Sequence, residues 1–111
     1  MKTIILAASL LIASTSFAGG NHYHPKQVVK CSSECTQAEI QGAIPAGLDD
    51  LIKWGKIDAS WKSAKVESVA KKDFKKGPEW VATLVNEKTN EKRYVFFTLK
   101  GYVNGANSTG N

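Results

Sequence analysis

The apolar positions change their spacing twice along this chain. Ile4 to Ile12 is an apolar run, broken only by Ser9, behind a single Lys2. Further on, Ile40, Ile44, Leu48, Leu51 and Ile52 recur at three- and four-residue steps, which is one stripe of an α-helix. Thr36-Gln37-Ala38-Glu39 precedes that stripe and reads as a capping box: the Thr36 hydroxyl accepts from the backbone of Glu39 while the Glu39 carboxylate reaches back. Pro45 interrupts the stripe. Either the helix kinks there, or one turn ends at Ile44 and a second helix starts with Pro45 in its first turn. Gly55 closes the segment, with Lys53 and Lys56 near the negative end of its dipole.

Past Asp58-Ala59-Ser60-Trp61, a tight connection, the period shortens to two. Lys62 to Phe74 alternates through Ala64, Val66, Ser68 and Ala70, and Gly77-Pro78 marks a turn. Glu79 to Asn86 puts Trp80, Ala82 and Leu84 on one face of a strand and Val81, Thr83 and Val85 on the other. A polar loop follows to Glu91. Arg93 to Leu99, with Tyr94, Val95, Phe96 and Phe97, is the stretch richest in β-forming residues. Lys100-Gly101 turns the chain into a short last strand at Tyr102-Val103, and residues 104–111 form a Gly- and Asn-rich tail. The pattern predicts an α+β fold, an N-terminal helix packed on an antiparallel meander of three or four strands. One helix covers one sheet face, yet the middle strands are apolar on both. The second face therefore needs the N-terminal tail, a second copy or a ligand to cover it.

The order of elements resembles the PepSY domain, a small exported or membrane-tethered helix-plus-meander module. From Gly55 onward the chain is similar to a family of small exported bacterial proteins with no assigned function. The residues carrying that likeness are Gly55-Lys56-Ile57-Asp58-Ala59-Ser60-Trp61, Glu79-Trp80-Val81, Tyr94-Val95-Phe96, Gly101-Tyr102 and the run from Gly105 to Gly110. The resemblance implies a His-rich N-terminal tail, of which His22-Tyr23-His24 is a reduced form. PepSY modules are associated with holding proteases in check, but the flanking protease of that arrangement is lacking here.

The first apolar run sets the expected compartment. It is about nine residues long, far short of the roughly 20 that span a bilayer. Ser16-Phe17-Ala18 supplies small residues where a signal peptidase reads, so residues 1–18 are expected to be a signal peptide cleaved near Ala18/Gly19. No cysteine stands there to take a lipid. The expectation is a periplasmic or secreted protein with no membrane span. A polar tail carrying His and Cys would follow at residues 19–35, then one α+β domain at 36–111. Loss of Lys2 leaves 14 basic against 10 acidic residues, a net charge of about +4. The densest run, Lys71-Lys72-Asp73-Phe74-Lys75-Lys76, reads as a solvated hairpin tip or as a contact for an anionic surface. No nucleic-acid module is recognisable.

Cys31 and Cys35 are the only cysteines. In an oxidising compartment they are expected to form a disulfide, best placed in a turn leading into the helix. His22, His24, Cys31 and Cys35 also form a candidate set for copper or zinc, and oxidation would take the two thiolates away from that set. A thiol-redox role is the third reading, although the βαβ alternation of a thioredoxin scaffold is missing. Hydrolytic chemistry has little support: Asp49 and Asp50 are adjacent and point about 100° apart on a helix. Trp54, Trp61 and Trp80 read as core residues, and Phe74 as an exposed aromatic. The first functional expectation is a non-catalytic binding module with no cofactor. Its contact with a protein, a peptide or a second copy in a homodimer would run through Trp80, Val81, Tyr94, Phe96 and Phe97.

Overall fold

The helix begins where the capping box places it. In the computed structural model, which describes residues 24–111, α1 spans Gln37–Lys53. The Glu39 N–H donates to Thr36 Oγ1 at 3.2 Å, and the Thr36 N–H donates to Glu39 Oε1 at 2.9 Å. Pro45 does not divide α1. Its ring removes the N–H that would reach the Gln41 carbonyl. Both residues lie on the exposed side, so water can serve that carbonyl. The Gly55 N–H donates to the Ile52 carbonyl at 3.0 Å and the Lys56 N–H to the Leu51 carbonyl at 2.8 Å, which closes α1 in a Schellman motif. The expected signal peptide at residues 1–18, and His22, lie outside the described residues.

The tight connection after α1 is a 3₁₀ turn, Ala59–Ser63, capped by the Asp58 side chain, which accepts from the Ser60 N–H at 2.8 Å. Among the described residues five strands follow the α+β expectation, against the three or four that the pattern predicted. They are β1 Lys26–Gln27, β2 Lys65–Phe74, β3 Gly77–Asn86, β4 Glu91–Phe97 and β5 Tyr102–Asn107, in the antiparallel order β1-β5-β4-β3-β2. The added strand is β1, drawn from the polar tail, which pairs Lys26 with Val103 and Gln27 with Tyr102. The segment just after it passes so close to Gly101 that a Cβ there would lie 2.1 Å from the Val29 carbonyl oxygen. Only glycine lets the tail cross at this point.

The predicted alternation of the first long strand fails at one residue. The β2–β3 ladder slips between Val66 and Ser68, leaving Glu67 as the extra residue of a β-bulge. The slip reverses the facing of everything beyond it, so Val69 turns to the core instead of Ser68 and Ala70. The core lies between α1 and one sheet face. Ile40, Ile44, Leu48 and Leu51 meet Trp80, Ala82, Leu84, Val95, Phe97 and Val103. Trp61 is buried in the same core, and the Arg93 guanidinium lies 5.2 Å from its ring centroid. Among the described residues no helix is long and apolar enough to cross a membrane.

Candidate functional site

The second sheet face carries Val81 opposite Phe96 and Thr83 opposite Tyr94. Its cover comes from the C-terminal end of the chain. Asn107 Oδ1 accepts from the Thr109 N–H at 3.1 Å and the Gly110 N–H at 2.8 Å, and its Nδ2 donates to the Asn111 carbonyl at 3.0 Å. These bonds fold residues 107–111 back over the sheet as a strap. Gly110 rests on the Tyr94 ring, and Lys72 of β2 donates Nζ to the Gly110 carbonyl at 3.0 Å. The Lys72 side chain thus ties the strap to β2, the far edge of the sheet. Val81 is 4% exposed and Phe96 9%.

The strap leaves one part of the face open. A groove of about 310 Å³ is lined by Phe74, Glu79, Phe96, Asn104, Gly105, Ala106, Asn107 and Asn111. Phe74 packs edge-on against Phe96, with ring centroids 5.7 Å apart, and the Lys72 ammonium lies 5.8 Å from the Phe74 centroid. Phe74 is therefore half-buried rather than exposed at the hairpin tip. Asn104 Nδ2 donates to Glu79 Oε2 at 3.2 Å. The lining gives an aromatic floor, side-chain amides that donate and accept, and one carboxylate. Among the described residues it includes no His, Cys, Ser or Thr. Such a surface holds a ligand by shape and hydrogen bonds.

A larger depression of about 490 Å³ lies beyond the end of α1, lined in part by Ile52, Ile57, Asp58, Trp61 and Arg93. Its polar groups are already engaged. Both the hydroxyl and the N–H of Ser60 donate to Asp58, and with help from Arg93 they hold its carboxyl below the ordinary carboxylate value. The Arg93 guanidinium stacks on Trp61 and donates to the Lys92 carbonyl at 3.1 Å. On the sheet surface nearby, Glu67 accepts from Lys92 at 3.0 Å and raises its pKa.

The five residues read as a binding face do not share one. Val81, Tyr94 and Phe96 lie on the second face, whereas Trp80 and Phe97 point at α1 and belong to the core. Neighbours along a strand face opposite ways. The other groove residues went unread, because the Gly- and Asn-rich composition of residues 104–111 suggests a loose tail. The available signal was Phe74, an aromatic set among lysines.

Cys31 and Cys35 are bonded to each other, with Cα atoms 5.2 Å apart. Cys35 is buried: its N–H donates to the Leu99 carbonyl at 2.8 Å, and its carbonyl accepts from the Trp80 indole N–H at 3.1 Å. Both sulfurs of the candidate metal set are thus in the bridge. The His24 ring lies 6.3 Å from the Trp54 ring, and His22 is outside the described residues. Among the described residues no three His, Cys, Asp or Glu side chains gather as a metal site.

No curated protein and no solved structure matches the chain. Its affiliation comes from a match that runs over residues 1–111, and by that match the chain belongs to the family of unknown function DUF6488.

Proposed function

We propose that this protein is a small exported, non-catalytic binding module that holds its ligand in the groove on the second sheet face. The observation that carries the reading is the incomplete strap. The chain covers Tyr94 with its own residues 107–111, yet leaves an aromatic and amide-lined groove open beside it. Export rests on Lys2, the Ile4–Ile12 run and the small residues ending at Ala18. A PepSY-like reading of the helix on its sheet agrees with a protein or peptide as the ligand. The test is an NMR titration of the ¹⁵N-labelled mature chain with fractionated cell-envelope extract. Resonances of Phe74, Phe96 and the Asn104 side chain should move in at least one fraction. If every fraction leaves them still, the groove is not the binding site.

A second reading is copper or zinc handling by His22, His24, Cys31 and Cys35. It is favoured by the side-by-side cysteines, since a separation that suits a disulfide also suits two thiolates on one soft ion after reduction. Deleting the tail is a poor test, because β1 and Cys35 are built into the fold. The double substitution His22→Ala/His24→Ala in reduced protein is the better one. Zinc uptake unchanged by it would remove the histidines from the set.

A further inference from the structure

The two outer edges of the sheet are guarded unequally. β2 carries Lys65, Lys71 and Lys72 and bulges at Glu67. Charge and irregularity of this kind keep foreign strands off a sheet edge. On the other side β1 pairs with Tyr102 and Val103 and then ends. Among the described residues, Asn104-Gly105-Ala106-Asn107 is left as the outermost segment of strand, with no charge and no proline. A register slip at Asn104 bends this edge without adding charge to it.

The same four residues form one wall of the groove whose floor is Phe74 and Phe96. The Ala106 side chain packs on the core, so Ala106 offers the groove its main chain. Pro25 and His24, the described residues just upstream of β1, do not pair with this edge. The His24 ring lies against Trp54 at the end of α1, on the opposite side of the sheet.

Resting on the binding-module reading above, we propose that the ligand is a short extended peptide that adds as a strand to the Asn104–Asn107 edge, next to β1. β1 is the precedent, since it takes the same edge in antiparallel register. Main-chain pairing supplies the affinity, and the groove selects the alternate side chain that enters it. Among the described residues, the only charged side chain lining the groove is that of Glu79, and the Lys72 ammonium stands near Phe74. The two charges oppose each other, so the side chain preferred over Phe74 is uncharged. A second copy fits the edge less well. Four paired residues per chain fall far short of the roughly 1,000 Å² of total buried area that a stable dimer needs.

The test pans random displayed peptides of about seven residues, a usual strand length, against the full chain as purified. Peptides recovered are titrated onto the protein and onto Asn104→Lys, which gives the open edge the guard that β2 has. Binding should weaken about tenfold or more in the variant. Amide exchange on the unsubstituted protein, which needs no variant, should slow at residues 104–107 when peptide binds. Peptides that bind both proteins equally and protect other residues would overturn the strand-addition inference while leaving a groove-binding module intact. Failure to recover any peptide also overturns it, and the extract titration then decides the broader reading separately. A dimer in light scattering that Asn104→Lys converts to monomer would assign the edge to a second copy instead.

Discussion

The ammonium of Lys72 and the carbonyl of Gly110, 38 residues apart, meet at 3.0 Å across the second sheet face. With the Asn107 side chain holding the other end, that bond makes the strap a fixed part of the fold. On the same face Val81 and Phe96 are buried, Phe96 with the Phe74 ring packed edge-on against it.

Gly110→Ala tests the strap directly. Gly110 has φ 80°, where a side chain is strained, and its Cβ would come within 3.2 Å of Tyr94 Cδ1. The left-handed conformation alone costs about 1–2 kcal/mol for a residue with a Cβ. Urea unfolding should show a loss of that order, and an apolar dye should bind the variant more strongly as the Tyr94 ring is uncovered. Unchanged stability and unchanged dye binding would mean that the strap does not close the face.

Gly47→Ala probes the other side of the sheet, and two effects oppose each other there. Alanine favours a helix interior over glycine by about 1 kcal/mol. Its Cβ would stand 3.0 Å from Phe97 Cε2 and 3.1 Å from Cζ, with Val103 Cγ2 at 3.6 Å. Phe97 and Val103 are wholly buried, so the ring has little room to retreat, and overpacking of this kind costs about 1–3 kcal/mol. The expected net result is a modest destabilisation in denaturant titration. A stabilised variant would show that α1 can lift from the sheet without loss.

The helix and three long strands were legible because their signals are local. Thr36 and Glu39 are three residues apart, and the Ile40–Leu51 stripe and the Trp80–Val85 alternation each lie within a single element. The misreadings have non-local causes. The bulge at Glu67 depends on what β3 offers opposite it, and nothing in Val66-Glu67-Ser68 announces a slip. β1 is two residues held by their partners at Tyr102 and Val103. The strap depends on Lys72 reaching Gly110, and the groove exists only because that strap stops short of Phe74. In the candidate site, Phe96 was found as an apolar residue on an apolar strand. Asn104 and Glu79 were missed because their contact joins two strands 25 residues apart in sequence.

The bridge between Cys31 and Cys35 predicts protein two hydrogens lighter than its dithiol form, with no thiol free to alkylate. Its loop is short, so reduction should lower stability by only about 2 kcal/mol on the loop-entropy model. The fold should survive, because Cys35 stays buried and keeps its backbone bonds to Leu99 and Trp80. Mass spectrometry under native and alkylating conditions, followed by urea unfolding with and without reductant, measures both quantities. Free thiols in protein taken from its native compartment would reopen the case for metal.

Asp58 gives the fold a small acid sensitivity whose sign is set. Hydrogen bonds from the Ser60 hydroxyl and N–H favour its charged form, so its folded pKa lies below the ordinary 3.8. Such a carboxylate stabilises the fold fully above its unfolded value, and the contribution fades as pH falls below about 3.8 toward the lower folded value. The group is solvent-exposed, so the effect is slight and best read as a difference between two proteins. Asp58→Asn keeps an acceptor for the Ser60 N–H but cannot titrate. Above pH 5 the unsubstituted chain should melt somewhat higher than the variant, and the gap should close as the pH is lowered through that range. A gap that stays constant with pH would show that the carboxylate charge plays no part in capping the Ala59–Ser63 turn.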